Sequence, residues 1–202
     1  MILHGHPLSG NTYKVRLLLS ALGKRVDERT VDVTTGAHKL PEHTALNPRG
    51  QLPVLVDGDT TVFDAQAILV YLARRYDAAQ RWLPLEPGPM AAIVGWLSFA
   101  ANEIQHGPHL ARMHYLLGVP AAIDQVHAAA RETLGQLDAR LATRSYLELD
   151  RPTLADLACM PCVALAPEGK LSLAPYPGVR AWVERLRAQP WFVAMPGLEA
   201  RT

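Results

Sequence analysis

The sequence predicts an α/β domain followed by an all-helical domain. Strand-like and helix-like segments alternate up to residue 77, and no strand-like alternation is visible after residue 89. Residues 78–89 are rich in proline and glycine, a composition that ends helices and commonly joins compact units. We therefore predict domains at residues 1–77 and 90–202, joined by a linker at residues 78–89.

The composition limits the classes of function. Of the 202 residues, 49% are hydrophobic, which is enough to bury a core. Twenty basic and nineteen acidic side chains give a net charge of +1, so the chain offers no broad positive field to nucleic acid. No apolar run approaches the roughly 20 residues needed to cross a bilayer, and the two cysteines do not resemble a secreted disulfide framework. We expect a cytoplasmic protein that binds neither nucleic acid nor membranes.

The first part of the chain reads as a βαβ unit. Residues 2–3 form a short strand, and residues 4–12 are a turn-rich loop. Apolar residues at helical spacing then predict a helix that ends at Gly23. Residues 26–33 alternate, with their last two valines facing one side, which predicts a second strand packed against a helix.

A ββα unit follows. Residues 51–56 and 60–63 are β-rich and flank Asp57-Gly58, a strong hairpin signal. Asp64 stands where the N-cap of a helix over residues 65–76 belongs.

The second domain reads as a series of helices. Apolar spacing and Pro/Gly punctuation predict helices over residues 90–117, 121–142, 154–165 and 178–188. Thr153 and the aspartate three residues later resemble a capping box, with Asp in place of the usual Glu or Gln.

Three motifs in this order resemble the glutathione transferase superfamily over essentially the whole chain. They are Asn-Pro-Arg-Gly-Gln-Leu-Pro-Val-Leu at residues 47–55, Asp-Ala-Gln-Ala-Ile at residues 64–68, and Arg-Pro-Thr-Leu-Ala-Asp-Leu at residues 151–157. The resemblance is to cytosolic, bacterial-like members, with a first loop similar to those of the phi and nu classes. It implies a thioredoxin-like N-terminal βαβ-ββα domain, a C-terminal helical bundle, glutathione as cosubstrate and a homodimer.

The resemblance also implies the residues that hold the glutathione backbone. His38 and Lys39 stand where related enzymes place a basic pair near the glycyl carboxylate, with Gln51 beside them. The peptide bond between Leu52 and Pro53 is expected to be cis, so that Leu52 presents its backbone to the bound peptide. Without the family, these residues would read as a solvated polar loop and a strand-edge proline.

The start of the helix after the hairpin is predicted to hold the γ-glutamyl end. Asp64, Ala65 and Gln66 begin this helix, and free N–H groups at a helix N-terminus bind carboxylates. Ala65 replaces the serine that is usual in the family, so one hydroxyl donor is missing. The alternative is that Asp64 is only an N-cap.

The thiol of glutathione needs a donor because a free thiol titrates near about 8.5. The resemblance makes Ser9 the first choice and Asn11 the second. Both could instead be ordinary turn residues, with Asn11 or Thr12 capping the next helix. Tyr13 is not where tyrosine-type members carry their donor, and Gly10 stands where other members carry a cysteine.

The second domain is expected to contribute a substrate wall made of Gln105, His106 and Arg112. We expect no metal site, because Gly107-Pro108 interrupts the histidine series of this helix. Cys159 and Cys162 read as small core residues of a predicted helix and not as a redox pair.

The function predicted from these motifs is glutathione transfer to small electrophiles, a detoxification reaction. Glutathione-dependent disulfide reduction is a second enzymatic candidate. The third is a non-catalytic glutathione-binding or interaction protein, which the loss of the serine at Ala65 would favour.

Overall fold

One four-stranded mixed sheet organises the first part of the chain. The computed structural model describes residues 1–199, so the last three residues of the predicted second domain lie outside the described residues. β1 pairs with β2 in parallel, while β1 with β3 and β3 with β4 are antiparallel, giving the order β2-β1-β3-β4. The strands are β1 (Ile2–Gly5), β2 (Asp27–Thr30), β3 (Val54–Asp57) and β4 (Thr60–Phe63).

Three α-helices belong to this part: α1 (Gly10–Ala21), α2 (Pro41–Thr44) and α3 (Ala65–Tyr76). The predicted bounds of α3 and the predicted hairpin before it are confirmed. Gly58 has a φ of 59° in the two-residue connection between β3 and β4, a backbone conformation that glycine adopts without strain.

The predicted second strand is too long at both ends. All four residues of β2 are exposed, because β2 is an edge strand that pairs only with β1. Val31 and Val33 lie beyond its end, and both are half-buried, as is the intervening Asp32. The Asp32 carboxylate accepts hydrogen bonds from the N–H and hydroxyl of Thr34, and this turn ends the strand before any alternation develops.

The first loop is shorter than predicted. α1 begins at Gly10, because the Ser9 side chain accepts a hydrogen bond from the N–H of Thr12 and so caps the helix. The sequence-based alternatives for this cap, Asn11 and Thr12, are wrong, since both lie within the first turn of α1.

The second part of the chain is helical. The predicted helix over residues 90–117 is interrupted at Asn102, which ends its first piece, while Pro108 lies in a π-helical turn (Gln105–His109) further along. The first piece begins three residues before residue 90, inside the predicted linker. The domain bounds themselves stay a prediction. The helices are α4 (Pro87–Ala101), α5 (Leu110–Leu117), α6 (Ile123–Leu141), α7 (Leu154–Ala164) and α8 (Pro177–Arg187).

The predicted capping box at the start of α7 is confirmed. Thr153 accepts a hydrogen bond from the N–H of Ala155, and the buried Asp156 carboxylate accepts one from the N–H of Thr153 at 2.9 Å. Asp156 also accepts hydrogen bonds from the indole of Trp182 and the N–H of Leu147. Asp156 therefore caps the start of α7 and also anchors this helix in the core.

A continuous hydrophobic core joins the sheet to the helices. Leu17 and Leu18 of α1 and Leu157 and Met160 of α7 belong to the same buried cluster, and all four are 0% exposed. The packing of α1 against α7 fixes the position of the first loop relative to the helical part. Within residues 1–199, no helix combines the length and hydropathy needed to span a membrane.

Candidate active site

A cavity of about 720 Å³ opens between the sheet and the first helices of the helical part. One side is formed by the loops after β1 and β2 and by the start of α3, and the other side by the π-helical turn and α5. All predicted site residues except Arg112 line it, namely Ser9, Asn11, His38, Lys39, Gln51, Leu52, Pro53, Asp64, Ala65, Gln66, Gln105 and His106.

Ser9 lies where the first loop enters α1. Its Oγ accepts a hydrogen bond from the N–H of Thr12 at 3.1 Å, and its own N–H donates to the carbonyl of His6 at 2.9 Å. A hydroxyl that accepts one hydrogen bond still has its proton to donate. The side chain is therefore held at the N-terminus of α1 with a donor available to the cavity.

Asn11 faces the second half of the chain. Its Nδ2 lies 3.4 Å from Oε1 of Gln105, a long hydrogen bond, and its Oδ1 is buried without a protein partner among residues 1–199. The amide is less firmly held than the Ser9 hydroxyl. Gln105 thus reaches the first turn of α1 across the cavity.

The loop around Gly50 is tightly packed. Nζ of Lys39 donates hydrogen bonds to the carbonyls of Arg49, at 3.1 Å, and Gly50, at 2.9 Å. A Cβ at Gly50, which has a φ of 56°, would lie 2.8 Å from the carbonyl of His38. Two of the three N–H groups of Lys39 are therefore used within the protein, and one remains.

His38 and Gln51 complete this end of the cavity. Burial, with the nearby Lys39 and His43 charges, lowers the pKa of His38, so its imidazole is neutral near pH 7 and Lys39 supplies the charge. The carbonyl of Gln51 accepts hydrogen bonds from the side chains of Asn47, at 2.9 Å, and His43, at 3.0 Å, which leaves the exposed Gln51 side chain available. The Leu52–Pro53 peptide bond that follows is cis.

Asp64 presents its carboxylate at the start of α3. Its Oδ1 accepts hydrogen bonds from the N–H groups of Gln66, at 2.9 Å, and Ala67, at 3.3 Å. Its backbone has a φ of 74° and a ψ of 129°, a conformation that residues other than glycine rarely adopt. The N-cap role is observed, and it uses only one of the two carboxylate oxygens.

The sequence missed the apolar part of the wall. Met113, Leu116, Leu117 and Val119 line the cavity at the end of α5, and the two leucines are 38% and 40% exposed. The available signal in the sequence was a pair of leucines at the end of a predicted helix. Whether these leucines face the cavity depends on how α5 packs. Arg49 is a second cation of the cavity wall that sequence reasoning missed, although it stands within the first motif.

Arg112 does not belong to the substrate wall, and this prediction is corrected. Its side chain is only 1% exposed and does not line the cavity. The guanidinium is directed into the protein, where it contacts Leu8 and Glu168. A buried guanidinium that is paired with a carboxylate and a backbone carbonyl is held away from substrate.

His109 lines the cavity and has a strongly lowered pKa. Burial is the main cause, and the charges of Lys14 and Arg112 add to it, so that the pKa falls from 6.5 to about 3. Its Nδ1 lies 3.7 Å from Sγ of Cys162. The imidazole is therefore neutral in the folded protein, whereas in the unfolded chain it takes up a proton below about pH 6.5.

The low pKa of His109 predicts a loss of stability in acid. Because the unfolded chain binds this proton and the folded protein does not, stability falls as the pH drops below 6.5 toward 3. Part of the side chain faces the cavity, so we expect a loss of about 1 to 2 kcal/mol between about pH 7.5 and about pH 5. Urea unfolding at both pH values measures it. In His109→Gln the acid loss should shrink by that amount, and an equal loss in both proteins would contradict the prediction.

Both cysteines are buried free thiols. Sγ of Cys159 contacts the carbonyl of Trp96 at 3.8 Å, and burial raises the pKa of Cys159. They pack as core residues of α7, in line with the sequence analysis. Among residues 1–199 no group of three or more His, Cys, Asp or Glu side chains is arranged to hold a metal ion.

The fold and the cavity together define a class of protein. A thioredoxin-like sheet domain is followed by a helical domain, and the cavity between them carries a hydroxyl at one helix N-terminus and a carboxylate at another. The family model for the glutathione S-transferase N-terminal domain matches residues 1–74, and the model for the C-terminal domain matches residues 107–190. The chain belongs to the glutathione S-transferase family.

Relatives and solved structures agree with this assignment. Glutathione S-transferase 3 of Zea mays is 36% identical over 94% of this chain and 90% of its own length. The disulfide-bond oxidoreductase YfcG of Escherichia coli is 28% identical over 89% of this chain and 87% of its own length.

Two solved structures have the same architecture. A glutathione S-transferase from Pseudomonas fluorescens Pf-5 is similar with a TM-score of 0.90 and 30% identity, covering 96% of this chain and 98% of that one. A glutathione transferase homologue from Drosophila mojavensis, solved with bound glutathione, has a TM-score of 0.85 and 26% identity, covering 94% and 88%.

Proposed function

We propose that this protein is a glutathione transferase in which Ser9 activates the thiol of glutathione for attack on small electrophiles. The observation that carries the proposal is the Ser9 hydroxyl, which is held by Thr12 at the N-terminus of α1 with its proton free to donate. A thiolate accepts this hydrogen bond and is also stabilised by the positive end of the helix dipole. Asn11 is the second candidate donor, since it lines the same part of the cavity.

The rest of the cavity suits the two ends of glutathione. The γ-glutamyl carboxylate binds at the backbone N–H of Ala65, while the second oxygen of Asp64 and the side chain of Gln66 receive the ammonium. The glycyl carboxylate binds at the remaining N–H of Lys39 and the amide of Gln51. The backbone of Leu52 pairs with the cysteinyl residue.

The proposed reaction is a nucleophilic substitution or addition. The thiol loses its proton to solvent, and the thiolate forms a carbon–sulfur bond with the electrophilic carbon. In a substitution the leaving group departs with the electron pair of its bond. Ser9 lowers the cost of the thiolate by donating a hydrogen bond to it.

The electrophile lies against the apolar wall of α5. Met113, Leu116 and Leu117 line this part of the cavity, while the cations Lys39 and Arg49 lie in the segment that follows β2 and precedes β3. We therefore propose neutral, apolar electrophiles as substrates. Gln105 and His106 are polar groups of the π-helical turn that precedes α5, and both line the cavity.

Restoring the missing hydroxyl is expected to strengthen glutathione binding. Ala65 is 3% exposed and lines the cavity, so Ala65→Ser adds a donor beside the proposed carboxylate site. One hydrogen bond contributes about 1 kcal/mol, or about fivefold in Kd. Isothermal calorimetry measures the change. The control is Ala67→Ser, in the same helical turn but exposed, which should leave Kd unchanged; equal affinities of the two variants would contradict the proposed contact.

The function is tested by product formation. The protein is incubated with glutathione and a chloronitroaromatic electrophile, and the conjugate is quantified by mass spectrometry against the non-enzymatic rate. Acceleration that is lost in Ser9→Ala supports transfer. Glutathione binding without acceleration of any electrophile would favour a non-catalytic binding protein, the reading that Ala65 supports.

Disulfide reduction is the second candidate. The similarity to a disulfide-bond oxidoreductase and the presence of Asn11 in the cavity favour it. In this reaction the thiolate attacks a mixed disulfide of glutathione, oxidised glutathione forms, and the other thiol is released. Parallel assays with the mixed disulfide and the aromatic electrophile decide between the two reactions by their kcat/KM values.

We further propose that the protein is a cytoplasmic homodimer. A homodimer is supported by exposed apolar side chains available to a second copy, such as Phe63 at 38% and Val94 at 44% exposure. Sedimentation analysis tests it. The two free thiols are compatible with the reducing cytoplasm.

A further inference from the structure

A buried arginine connects the helical part of the chain to the first loop. Arg112 lies on α5 and is 1% exposed. Its Nη1 donates a hydrogen bond to the carbonyl of Leu8 at 2.7 Å, and its Nε donates to Oε2 of Glu168, also at 2.7 Å. Charge-assisted hydrogen bonds of this length are among the strongest in proteins. One guanidinium therefore binds a carboxylate on its own side and a carbonyl across the interface.

The carbonyl that Arg112 binds belongs to the peptide unit that carries Ser9. This unit is planar, so its C=O and N–H cannot turn independently. The Leu8 carbonyl is held by Arg112, and the Ser9 N–H donates to the carbonyl of His6 at 2.9 Å. Both ends of the plane are thus fixed, and the direction in which Cα of Ser9 leaves it is fixed with them.

The carboxylate that orients Arg112 has little freedom. Glu168 lies in a 3₁₀ helix (Ala166–Gly169) that packs directly on α5. A Cβ at Gly169 would lie 2.8 Å from the backbone N of Arg112, and a Cβ at Gly197 would clash with the Glu168 carboxylate. The close approach of the 3₁₀ helix to α5 holds the Glu168 side chain beside the Arg112 guanidinium.

We propose that Arg112 is a positioning residue for the thiol-activating hydroxyl: together with Glu168 it sets the Leu8–Ser9 peptide plane and so aims Ser9 at the glutathione sulfur. The inference rests on the proposed function. Through Arg112, the helical part of the chain would contribute to thiol activation without contacting glutathione. Arg112 would then position Ser9, whereas the sequence had predicted that it binds the substrate.

The test compares Arg112→Gln with Arg140→Gln, the same substitution at an arginine outside the cavity. Arg140 donates to the carbonyl of Leu147 at 2.9 Å and to the carboxylate of Glu148 at 2.8 Å, so it binds the same two kinds of acceptor as Arg112. It does not line the cavity. For each variant we would measure the thiol pKa of bound glutathione by ultraviolet absorbance, kcat with the aromatic electrophile, Kd for glutathione, and the unfolding midpoint.

We expect Arg112→Gln to raise the thiol pKa and to lower kcat about 10- to 100-fold, the size of effect caused by small misplacement of a reacting group. Kd should change little, because the proposed contacts of the two ends of glutathione lie elsewhere. Arg112→Lys should recover only part of the loss, since an ammonium lacks the fork that joins both acceptors. Arg140→Gln should leave the thiol pKa and kcat unchanged.

Equal thiol pKa and kcat in Arg112→Gln and Arg140→Gln would overturn the inference. If wild type lowers the thiol pKa and Arg112→Gln lowers it as far, the positioning role fails and the proposed function stands. If wild type does not lower it, both fail. Should Arg112→Gln not fold, Glu168→Gln decides: the side chain is 32% exposed, and the variant keeps the arginine while removing its partner charge. A raised thiol pKa supports the inference, and an unchanged one overturns it.

Discussion

Replacing Ser9 by alanine is expected to lower kcat/KM for the aromatic electrophile by about 10²- to 10³-fold, the effect of removing one donor that stabilises a reacting anion. The loss should fall mainly on kcat at neutral pH, because without the hydroxyl less of the bound glutathione is thiolate. It should diminish above about pH 9, where the thiol ionises without help. Initial rates across this pH range measure both effects.

The controls separate the hydroxyl from the helix cap. Ser9→Thr keeps a hydroxyl that can still accept from Thr12, so it should retain most of the activity. Thr153→Ala removes an N-cap from α7, away from the cavity, and should reduce stability without changing the pH profile. Asn11→Ala tests the rival donor. A larger loss in Asn11→Ala than in Ser9→Ala would contradict the assignment of Ser9 as the activating residue.

Replacing Asp64 by asparagine is expected to weaken glutathione binding by about 10- to 100-fold, because a hydrogen bond between charged groups contributes about 1.5 to 3 kcal/mol. Asparagine keeps the oxygen that accepts from Gln66 and Ala67, and it tolerates a positive φ. The helix cap is therefore retained while the partner of the γ-glutamyl ammonium is lost. Calorimetry measures Kd, and thermal unfolding without ligand measures the cap.

Asp138 offers the matched control for this prediction. Its Oδ1 accepts a hydrogen bond from the N–H of Val179 in the first turn of α8, at 3.0 Å, and it does not line the cavity. Asp138→Asn should leave Kd unchanged. If Asp64→Asn binds glutathione as tightly as Asp138→Asn does, Asp64 is only an N-cap, the alternative that the sequence had left open.

Local features explain what the sequence predicted. The hairpin at Gly58 and the start of α3 at Asp64 depend on residues within a few positions, and both were predicted at the right place. The bounds of the second strand were predicted wrongly. A pattern of valines cannot distinguish an edge strand that ends at a turn from a strand buried under a helix. Val33 instead lines the cavity.

The site was predictable where motifs carry it, and not where packing decides. Ser9, Asp64 and Ala65 stand within recognisable motifs, and the structure brings them to one cavity. Arg112 is the opposite case: its partners Leu8 and Glu168 are distant in sequence, so its role depends on how α5 packs against the first loop. Leu117 likewise lines the cavity only because of that packing.

The most direct test of the account is the ultraviolet thiolate absorbance of glutathione bound to the wild-type protein, followed against pH. We predict a thiol pKa clearly below the value of about 8.5 for a free thiol. Bound glutathione that titrates at about 8.5, as a free thiol does, would contradict thiol activation by this cavity.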